Sequence, residues 1–435
     1  MSKEQFEIKH TYYFDADEFE RSIVLTDDEI GHGYGAAKPH DEAKKPSPCL
    51  SKFASFLNAY ILPIGLLVFV TFGALVPQPG VAIACQGTNY FCVIGIFFYS
   101  GLFLRTEEMK AAIKAYRASI WGAISILFIT SLIGSQLTVL LTFDEPSIFH
   151  NSTKEGGPDN ALFGSSEFKT GFQLFFIVPC TISSGVLMVN QLGGNYALAV
   201  LLTVVCNVVG IFTVPPMLSW LLASKTEVKL DIVAMLVKML LTLLLPLLVG
   251  KALQYIKPFY AFCKKIKPVL RIISIFLLIC LAFMKISQAS DAGSLDKVSA
   301  VNIVLFICWS WTVHSVYLIL NGLASFVLRL GVEEAKCIVI LASQKSVAIG
   351  IAIVGYLPAE FGDQGLMAIP LVLSHLSMIL FDACVISIWL KISPMEEEED
   401  EEKPLLKHAI ISGYTEPDGS INPAFQEDED PQPKV

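Results

Sequence analysis

Charged residues are scarce in this chain. Asp, Glu, Lys and Arg make up 16% of its 435 residues, whereas hydrophobic residues make up 54% and the mean hydropathy is +0.59. Soluble domains carry charges at about a quarter of their positions, so this composition excludes an ordinary soluble protein. The net charge of −9 does not describe the middle of the chain, because the acidic residues cluster in the two tails.

The motifs of enzymes and metalloproteins are also missing. The ten cysteines show no metal-ligand spacing, and most of them lie inside apolar segments, where cysteine behaves as a small hydrophobic residue. The sequence has no nucleophile motif and no paired-carboxylate motif, and it gives no sign of a nucleic-acid partner. We therefore expect no enzymatic activity and no cofactor. Cys85 and Cys92 are candidates for a disulfide near the outer face.

A signal peptide is not expected, because the first fifty residues have no apolar core. Residues 1–54 and 392–435 are predicted to be disordered cytoplasmic tails. The acidic run 396–402 is interpreted as a solvated spacer, with cation binding as the alternative. Glu401, followed by Leu405 and Leu406, resembles an acidic dileucine sorting signal.

Long apolar segments fill the chain between these tails. A helix needs about 20 apolar residues to cross the hydrocarbon layer, and barrel strands would not give such long apolar runs. We predict an all-α polytopic membrane protein embedded in the lipid bilayer, with one transporter domain over 55–391. Its ten predicted spans are 55–78, 91–104, 118–142, 170–192, 196–222, 231–254, 269–286, 299–327, 335–356 and 364–391.

The distribution of Lys and Arg predicts the orientation. Basic residues concentrate in two loops, near 105–117 and 257–271, whereas the loops at 79–90 and 357–363 carry none. By the positive-inside rule, both termini are cytoplasmic. The loop at 143–168 then faces outward, and its sequon predicts glycosylation of Asn151. These signals fit the plasma membrane or a secretory-pathway membrane, Golgi or endosomal.

Two of the predicted spans are interrupted by polar residues and glycines, at 179–195 and at 343–358. Each is the fourth span of its half, so we expect inverted five-helix repeats over about 55–222 and 231–391, and a binding site where the interruptions meet. Helix ends at such breaks attract ions, and nearby hydroxyls add ligands. The candidate substrate- or ion-binding residues are Thr181, Ser183, Ser184, Asn190, Thr203, Asn207, Ser343, Gln344, Lys345 and Ser346.

Lys345 is the most unusual of these residues, because a charge inside the bilayer is costly and normally has a function. Its ammonium could occupy a place where related carriers bind Na+, bind an anionic substrate, or couple transport to protons. The alternative is a lysine that snorkels to the interface. His314 and His375 are further candidates for proton coupling, or for neutral hydrogen-bonding groups between helices.

The stretch 97–108, FFYSGLFLRTEE, resembles the element F-F-x-S-G-L-x-L-x-T-E-E of a known transporter family. The two interruptions, Pro370 and His375 resemble it as well. On these residues the region 55–391 is identified as similar to the sodium/bile acid cotransporter 7-like branch of the bile acid:sodium symporter superfamily. The resemblance implies ten helices in a panel and a core domain, with the two broken segments crossing in the core.

In sodium-coupled members, Na+ is bound by residues near the first break, by a Thr on the next helix, and by Glu and Gln on the second broken helix. Ser184 and Thr203 stand at matching places here, but Gln344-Lys345-Ser346 replaces the family pattern E-V-G-x-Q-N. We therefore expect that the protein is not an ordinary two-sodium symporter, and Na+ is kept only as an alternative.

The resemblance also implies a role in restraining cytosolic calcium. The leading hypothesis is a secondary transporter of a small organic anion or ion. Two alternatives stay open: a non-transporting regulator that acts on a calcium-entry channel, and a cation/proton antiporter that uses Lys345 and a histidine.

Overall fold

The computed structural model describes residues 48–104, 112–143, 162–181, 184–223 and 230–392, with side chains from residue 61 onward. These residues form helices joined by short turns, and no strand occurs among them. Asn151, Ser183 and the two predicted tails lie outside the described residues. The chain divides into two units, Met1–Ile386 and Ser387–Val435.

The described residues of the first half form eight α-helices and a π-helical turn. They are α1 (Pro48–Leu75), α2 (Gln78–Ile83), α3 (Gln86–Leu102), α4 (Tyr116–Ile124), the π-turn (Ser125–Ile129), α5 (Thr130–Leu137), α6 (Ser166–Ile177), α7 (Ser184–Gln191) and α8 (Tyr196–Leu222). Side chains at the helix starts define several boundaries. Asn195, for example, accepts a hydrogen bond from the backbone of Leu198 and so caps α8.

Residues 230–392 form another eight α-helices. They are α9 (Ile232–Met239), α10 (Leu245–Leu253), α11 (Lys257–Lys265), α12 (Lys267–Asp291), α13 (Ala300–Val327), α14 (Val332–Leu341), α15 (Val347–Val354) and α16 (Gln364–Ile392). A second π-turn, Leu240–Leu244, joins α9 to α10. Ser299 and Asn302 form a capping box at the start of α13.

In the part of the chain that the structure describes, six helical segments are long and apolar enough to cross a membrane, and Ile61–Leu75 is a shorter apolar helix. The six are Tyr116–Leu140, Tyr196–Leu222, Ile232–Leu253, Lys267–Asp291, Ala300–Val327 and Gln364–Ile392. An all-helical polytopic membrane protein is therefore confirmed. The count of ten spans and the inverted repeat stay predictions.

Two groups of helices are recognisable from their contacts. In the first, α12 packs along α1 and α3, and α10 packs along α3. In the second, α5 packs on α6, α7 on α8 and α14, and α13 on α14. Both broken segments belong to the second group. They therefore lie between other helices of that group and not at the edge of the group that faces lipid.

The candidate disulfide between Cys85 and Cys92 does not form, since both thiols are free. Cys85 caps α3, and Cys92 lies about 10 Å further along the same helix. A disulfide needs Cα atoms within about 7 Å. Cys92 is buried and lies beside Cys280 on α12.

Candidate functional site

The two helix interruptions contact each other. The first separates α6 from α7, and the second separates α14 from α15. The backbone N–H of Ser346 donates to the carbonyl of Pro179 at 2.9 Å. The Thr181 hydroxyl donates to Gln344 Oε1 at 2.8 Å. The interruptions are therefore joined both through the backbone and through side chains.

Local sequence explains why the chain breaks at these positions. Pro179 disfavours a helical conformation of Val178, which is extended at the end of α6 (ψ 151°). Thr181 Oγ1 accepts a hydrogen bond from Gly185 N at 2.7 Å and so satisfies a donor in the first turn of α7. Ser346 is likewise extended and its side chain caps α15. Both breaks thus use residues that favour caps and turns.

The side chain of Lys345 is enclosed within the protein, with a relative exposure of 1%. Its ammonium donates to the carbonyl of Ile126 and to Ser131 Oγ, each at 3.0 Å. It also lies 5.9 Å from the centre of the Tyr317 ring. The ammonium therefore does not snorkel to the surface, and among the described residues its contacts are all neutral.

The π-turn between α4 and α5 prepares this contact. In a π-turn the backbone N–H bonds to the carbonyl five residues earlier, and Thr130 N bonds in this way to Ser125 O. The widened turn leaves room for a further donor at the Ile126 carbonyl, which accepts from both Ser131 Oγ and Lys345. π-bulges are frequent at functional sites.

A buried acid–base pair lies on the other side of the second interruption. His314 Nε2 lies 2.6 Å from Asp382 Oδ1, and Asp382 Oδ2 accepts from Gln344 Nε2 at 2.6 Å. His314 Nδ1 lies 3.2 Å from the carbonyl of Ser343. Both ring nitrogens of His314 therefore face acceptor atoms.

These contacts form one continuous polar chain. It runs from His314 through Asp382 and Gln344 to Thr181, and it ends at the first turn of α7. It connects helices α13, α16, α14–α15 and α6–α7 across the centre of the second helix group. The pair is therefore connected by hydrogen bonds to both interruptions.

His375 is placed differently from His314. Its Nδ1 lies 3.2 Å from the backbone carbonyl of Lys345, and it does not contact the ammonium. The Ser343 hydroxyl donates to Val339 O and accepts from Asn321 Nδ2. Both side chains therefore hold the second interruption in shape.

Thr203 and Asn207 bring acceptor atoms to the first interruption. The Asn207 amide donates to Cys180 O and Thr203 O, and its Oδ1 is buried without a hydrogen-bond partner among the described residues. The Thr203 hydroxyl has no hydrogen bond of normal geometry there and lies beside the Cys180 thiol. Buried acceptors of this kind are positions at which a ligand donor or a cation can bind.

Two other predicted site residues occupy α7. Ser184 begins this helix and is half-buried at the break. Asn190 lies near the opposite end of α7 and is exposed, so the structure does not bring it to the interruptions. The physical reason is that a helix rises about 1.5 Å per residue, which carries Asn190 about 9 Å from Ser184.

Several polar residues around Lys345 are not in the sequence-predicted site. Ser131 and the Ile126 carbonyl bind its ammonium, and Asp382 pairs with His314. Asp382 could have been recognised from the sequence, because it is an acidic residue in an apolar run. Ile126 could not, because it acts through its backbone carbonyl, which every residue has. A second buried lysine, Lys285, lies at the edge of the predicted span 269–286, where a lysine is expected to reach the interface.

Comparison with known proteins gives a consistent result. Residues 61–391 match the SBF-like CPA transporter family. The chain is 30% identical over 346 residues to the probable sodium/metabolite cotransporter BASS4, chloroplastic, of Arabidopsis thaliana, covering 78% of this chain and 74% of the relative. The Oryza sativa subsp. japonica protein of the same name is 27% identical over 366 residues, covering 80% and 81%.

The sodium/bile acid cotransporter 7 of Mus musculus is 23% identical over 346 residues, which cover 74% of this chain and 90% of that protein. The resemblance inferred from residues 97–108 and from the two interruptions is therefore confirmed. Transporters of this family are not enzymes. The chain belongs to the SBF-like CPA transporter family, within the bile acid:sodium symporter group.

Proposed function

We propose that this protein is a secondary transporter that moves a small organic anion or ion without ordinary two-sodium coupling. The observation that supports this proposal is the Lys345 ammonium, which lies where the two helix interruptions meet and contacts only neutral groups among the described residues. In this proposal the Lys345 ammonium supplies the positive charge of the candidate site.

The electrostatics of this arrangement disfavour a sodium ion beside the lysine. Two unit positive charges 4 Å apart repel each other by about 4 kcal/mol at an effective dielectric constant near 20. The same ammonium lacks a carboxylate partner in the described structure, and a buried charge without one is costly. An anionic substrate that approaches Lys345 would reduce that cost.

The transport cycle in this proposal is a movement of the second helix group, the core, against the first, the panel. In inverted-repeat transporters the site stays near the bilayer midplane while one helix bundle rocks against the other. The two interruptions move as one body, since Ser346 N and Pro179 O bond them directly.

The proposal predicts that transport is independent of sodium. The purified full-length chain is reconstituted in liposomes, and uptake of radiolabelled pyruvate and of radiolabelled taurocholate is measured with Na+ and pH gradients imposed separately. We expect uptake of an organic anion that is unchanged when K+ replaces Na+. Uptake that requires an inward Na+ gradient would contradict the proposal.

Cation/proton exchange is the second candidate function, and the His314–Asp382 pair favours it. If this pair exchanges protons, His314→Gln should remove the dependence of flux on the pH gradient, because Gln can hydrogen-bond but does not titrate. The control is Trp311→Phe, one turn away on α13. Flux that responds to the pH gradient equally in wild type and His314→Gln would exclude the pair as the proton carrier.

The restraint of cytosolic calcium stays a prediction of the resemblance. It is separable from transport, since a non-transporting regulator would still lower calcium entry when Lys345 is replaced. Calcium imaging of cells that express wild type or Lys345→Met, at matched surface levels, compares the two. Equal calcium responses would support the regulator; loss of the response together with flux would support transport.

A further inference from the structure

Basic and aromatic residues meet at one end of the first helix group, in the connection between two membrane-crossing segments. The segment Ile232–Leu253 ends there, and the segment Lys267–Asp291 begins there. The helix α11 lies between them and packs on α12. A connection this short lies at the surface of the membrane, so α11 lies beside the lipid headgroups.

The helix α11 has a basic side and an apolar side. Lys257, Lys264 and Lys265 stand at positions i, i+7 and i+8, which puts them on one side of the helix, and all three are exposed. Phe259 and Phe262 lie on the other side and are 36% and 58% exposed. A helix with lysines on one side and aromatic residues on the other is typical of segments that lie in the plane of the membrane interface.

Acidic residues do not offset this charge in the surrounding sequence. The chain has no Asp or Glu between Asp231 and Asp291, whereas residues 251–271 contain six Lys and Arg. The segment 105–111, which follows α3, has two basic and two acidic residues and so adds no net charge. The three lysines of α11 have no ion pair among the described residues. Their charge is therefore available to an anionic partner.

Aromatic rings hold part of this basic region in place. Lys264 Nζ lies 5.0 Å from the centre of the Tyr260 ring, and Lys267 Nζ lies 5.7 Å from that of Phe103, just after α3. The two rings are neighbours, with centres 6.4 Å apart. A ring contacts one side of an ammonium, so Lys264 keeps N–H donors for a phosphate oxygen.

We infer that α11 binds the headgroup of an anionic phospholipid, in the leaflet that the distribution of basic residues predicts to be cytoplasmic. The headgroup oxygens accept hydrogen bonds from Lys257, Lys264 and Lys265, since clusters of lysine beside a membrane span attract anionic lipids. Phe259 and Phe262 pack against the upper part of the acyl chains. Free phosphate would leave these exposed rings in water, so the two sides of the helix together favour a lipid. Lipid binding here is independent of the proposed function, because it involves the first helix group alone.

Two other roles of these lysines would not distinguish one lipid from another. Lys264 and Lys265 end α11, where a cation stabilises the helix dipole whatever the lipid. Basic residues also orient a protein during insertion without binding a lipid afterwards. Lys257 separates the first role from lipid binding, because it lies at the start of α11, where a cation opposes the dipole.

Native mass spectrometry of the purified full-length chain in detergent tests lipid binding, with added phosphatidylserine or phosphatidylcholine. We expect wild type to bind phosphatidylserine more tightly. Lys264→Gln/Lys265→Gln should raise the Kd for phosphatidylserine by about tenfold to thirtyfold and leave that for phosphatidylcholine unchanged, because each lysine near an anionic surface contributes about fivefold. Lys257→Gln should raise it by about fivefold. Lys264→Arg/Lys265→Arg keeps both charges and should retain the preference.

Lys114→Gln/Arg117→Gln is the matched control, because it removes two exposed charges from the other basic loop that is predicted to be cytoplasmic. Equal Kd values of wild type for the two lipids, or an unchanged phosphatidylserine Kd in both Gln variants of α11, would overturn the site. An equal loss in the control would replace a local site with diffuse charge. A lower melting temperature of Lys264→Gln/Lys265→Gln without a change in lipid preference would assign these lysines to the helix dipole. Displacement of phosphatidylserine by equimolar inorganic phosphate, or by a peptide of the acidic run 396–402, would overturn the assignment to a lipid.

Discussion

Replacing Lys345 with methionine is expected to reduce sodium-independent uptake of an organic anion by about tenfold to a hundredfold. Methionine nearly matches lysine in length, so the cavity stays filled while the charge and its two hydrogen bonds, to Ile126 O and Ser131 Oγ, are removed. Hydrogen bonds to charged groups contribute about 1.5–3 kcal/mol, which corresponds to this range of rates or affinities. Uptake in liposomes at matched protein density measures it.

The same variant should remain folded. Replacing a buried charge by an apolar side chain of similar volume is often neutral or stabilising, because the charge no longer has to be desolvated. Lys336→Met is the control, since this buried lysine lies on α14, about two turns before the second interruption. Normal uptake by Lys345→Met would remove Lys345 from the mechanism. A large fall in its melting temperature would make the lysine a structural residue.

Replacing Gly101 with valine is expected to prevent the first helix group from assembling. A Cβ at Gly101 would lie 2.0 Å from the carbonyl oxygen of Leu247, on α10, and a Cβ at Gly250 would lie 2.4 Å from that of Phe98, on α3. Each glycine thus admits the backbone of the other helix, as small residues do in membrane bundles. Backbone atoms cannot move aside as side chains can, so the helices must separate.

Hydrogen bonds between α10 and the end of α3 also depend on the close approach of these two helices. Gln254 Nε2 donates to Leu102 O and Leu104 O, and Lys251 donates to Leu104 O, so both side chains satisfy carbonyls at the end of α3. Separation of the helices would break these bonds in addition to the overpacking cost of about 1–3 kcal/mol. We expect little monodisperse Gly101→Val protein on size-exclusion chromatography and a clear fall in melting temperature for Gly101→Ala.

Gly331→Ala provides the matched control, because a Cβ there meets no atom within 4 Å and the backbone is in an extended conformation (φ −61°, ψ 157°). Its melting temperature should equal that of wild type. Gly101→Ala and Gly331→Ala with equal stabilities would show that α3 and α10 are not held together by the close backbone approach.

Much of the architecture follows from local features of the sequence. The low share of charged residues and the long apolar runs identify a polytopic membrane protein, because the bilayer penalises charge wherever it occurs along a span. Pro179 and Ser346 mark the two interruptions, because proline and capping residues act on their own neighbours in the chain. The stretch 97–108 and these interruptions also point to the family.

The contacts that the residues of the candidate site make with other helices cannot be predicted from local sequence features. Asn190 is as polar as Thr181 and lies in the same segment, yet only Thr181 reaches the second interruption. Cys85 and Cys92 are close in sequence, yet Cys92 lies beside Cys280 on another helix. The periodicity of a helix separates near neighbours onto different faces or levels, and the packing of other helices decides which of them meet.

The sequence by itself determined that this protein is a helical membrane transporter with two broken segments and a lysine in the second. Hydrophobicity, helix capping and the effects of proline are local, so they can be recognised in the sequence without knowledge of the fold. Only the tertiary structure decided that the lysine binds the carbonyl of a π-turn more than two hundred residues away, that His314 pairs with Asp382, and that Lys267 lies over the Phe103 ring. Contacts of this kind depend on how helices cross in space, which no local pattern encodes.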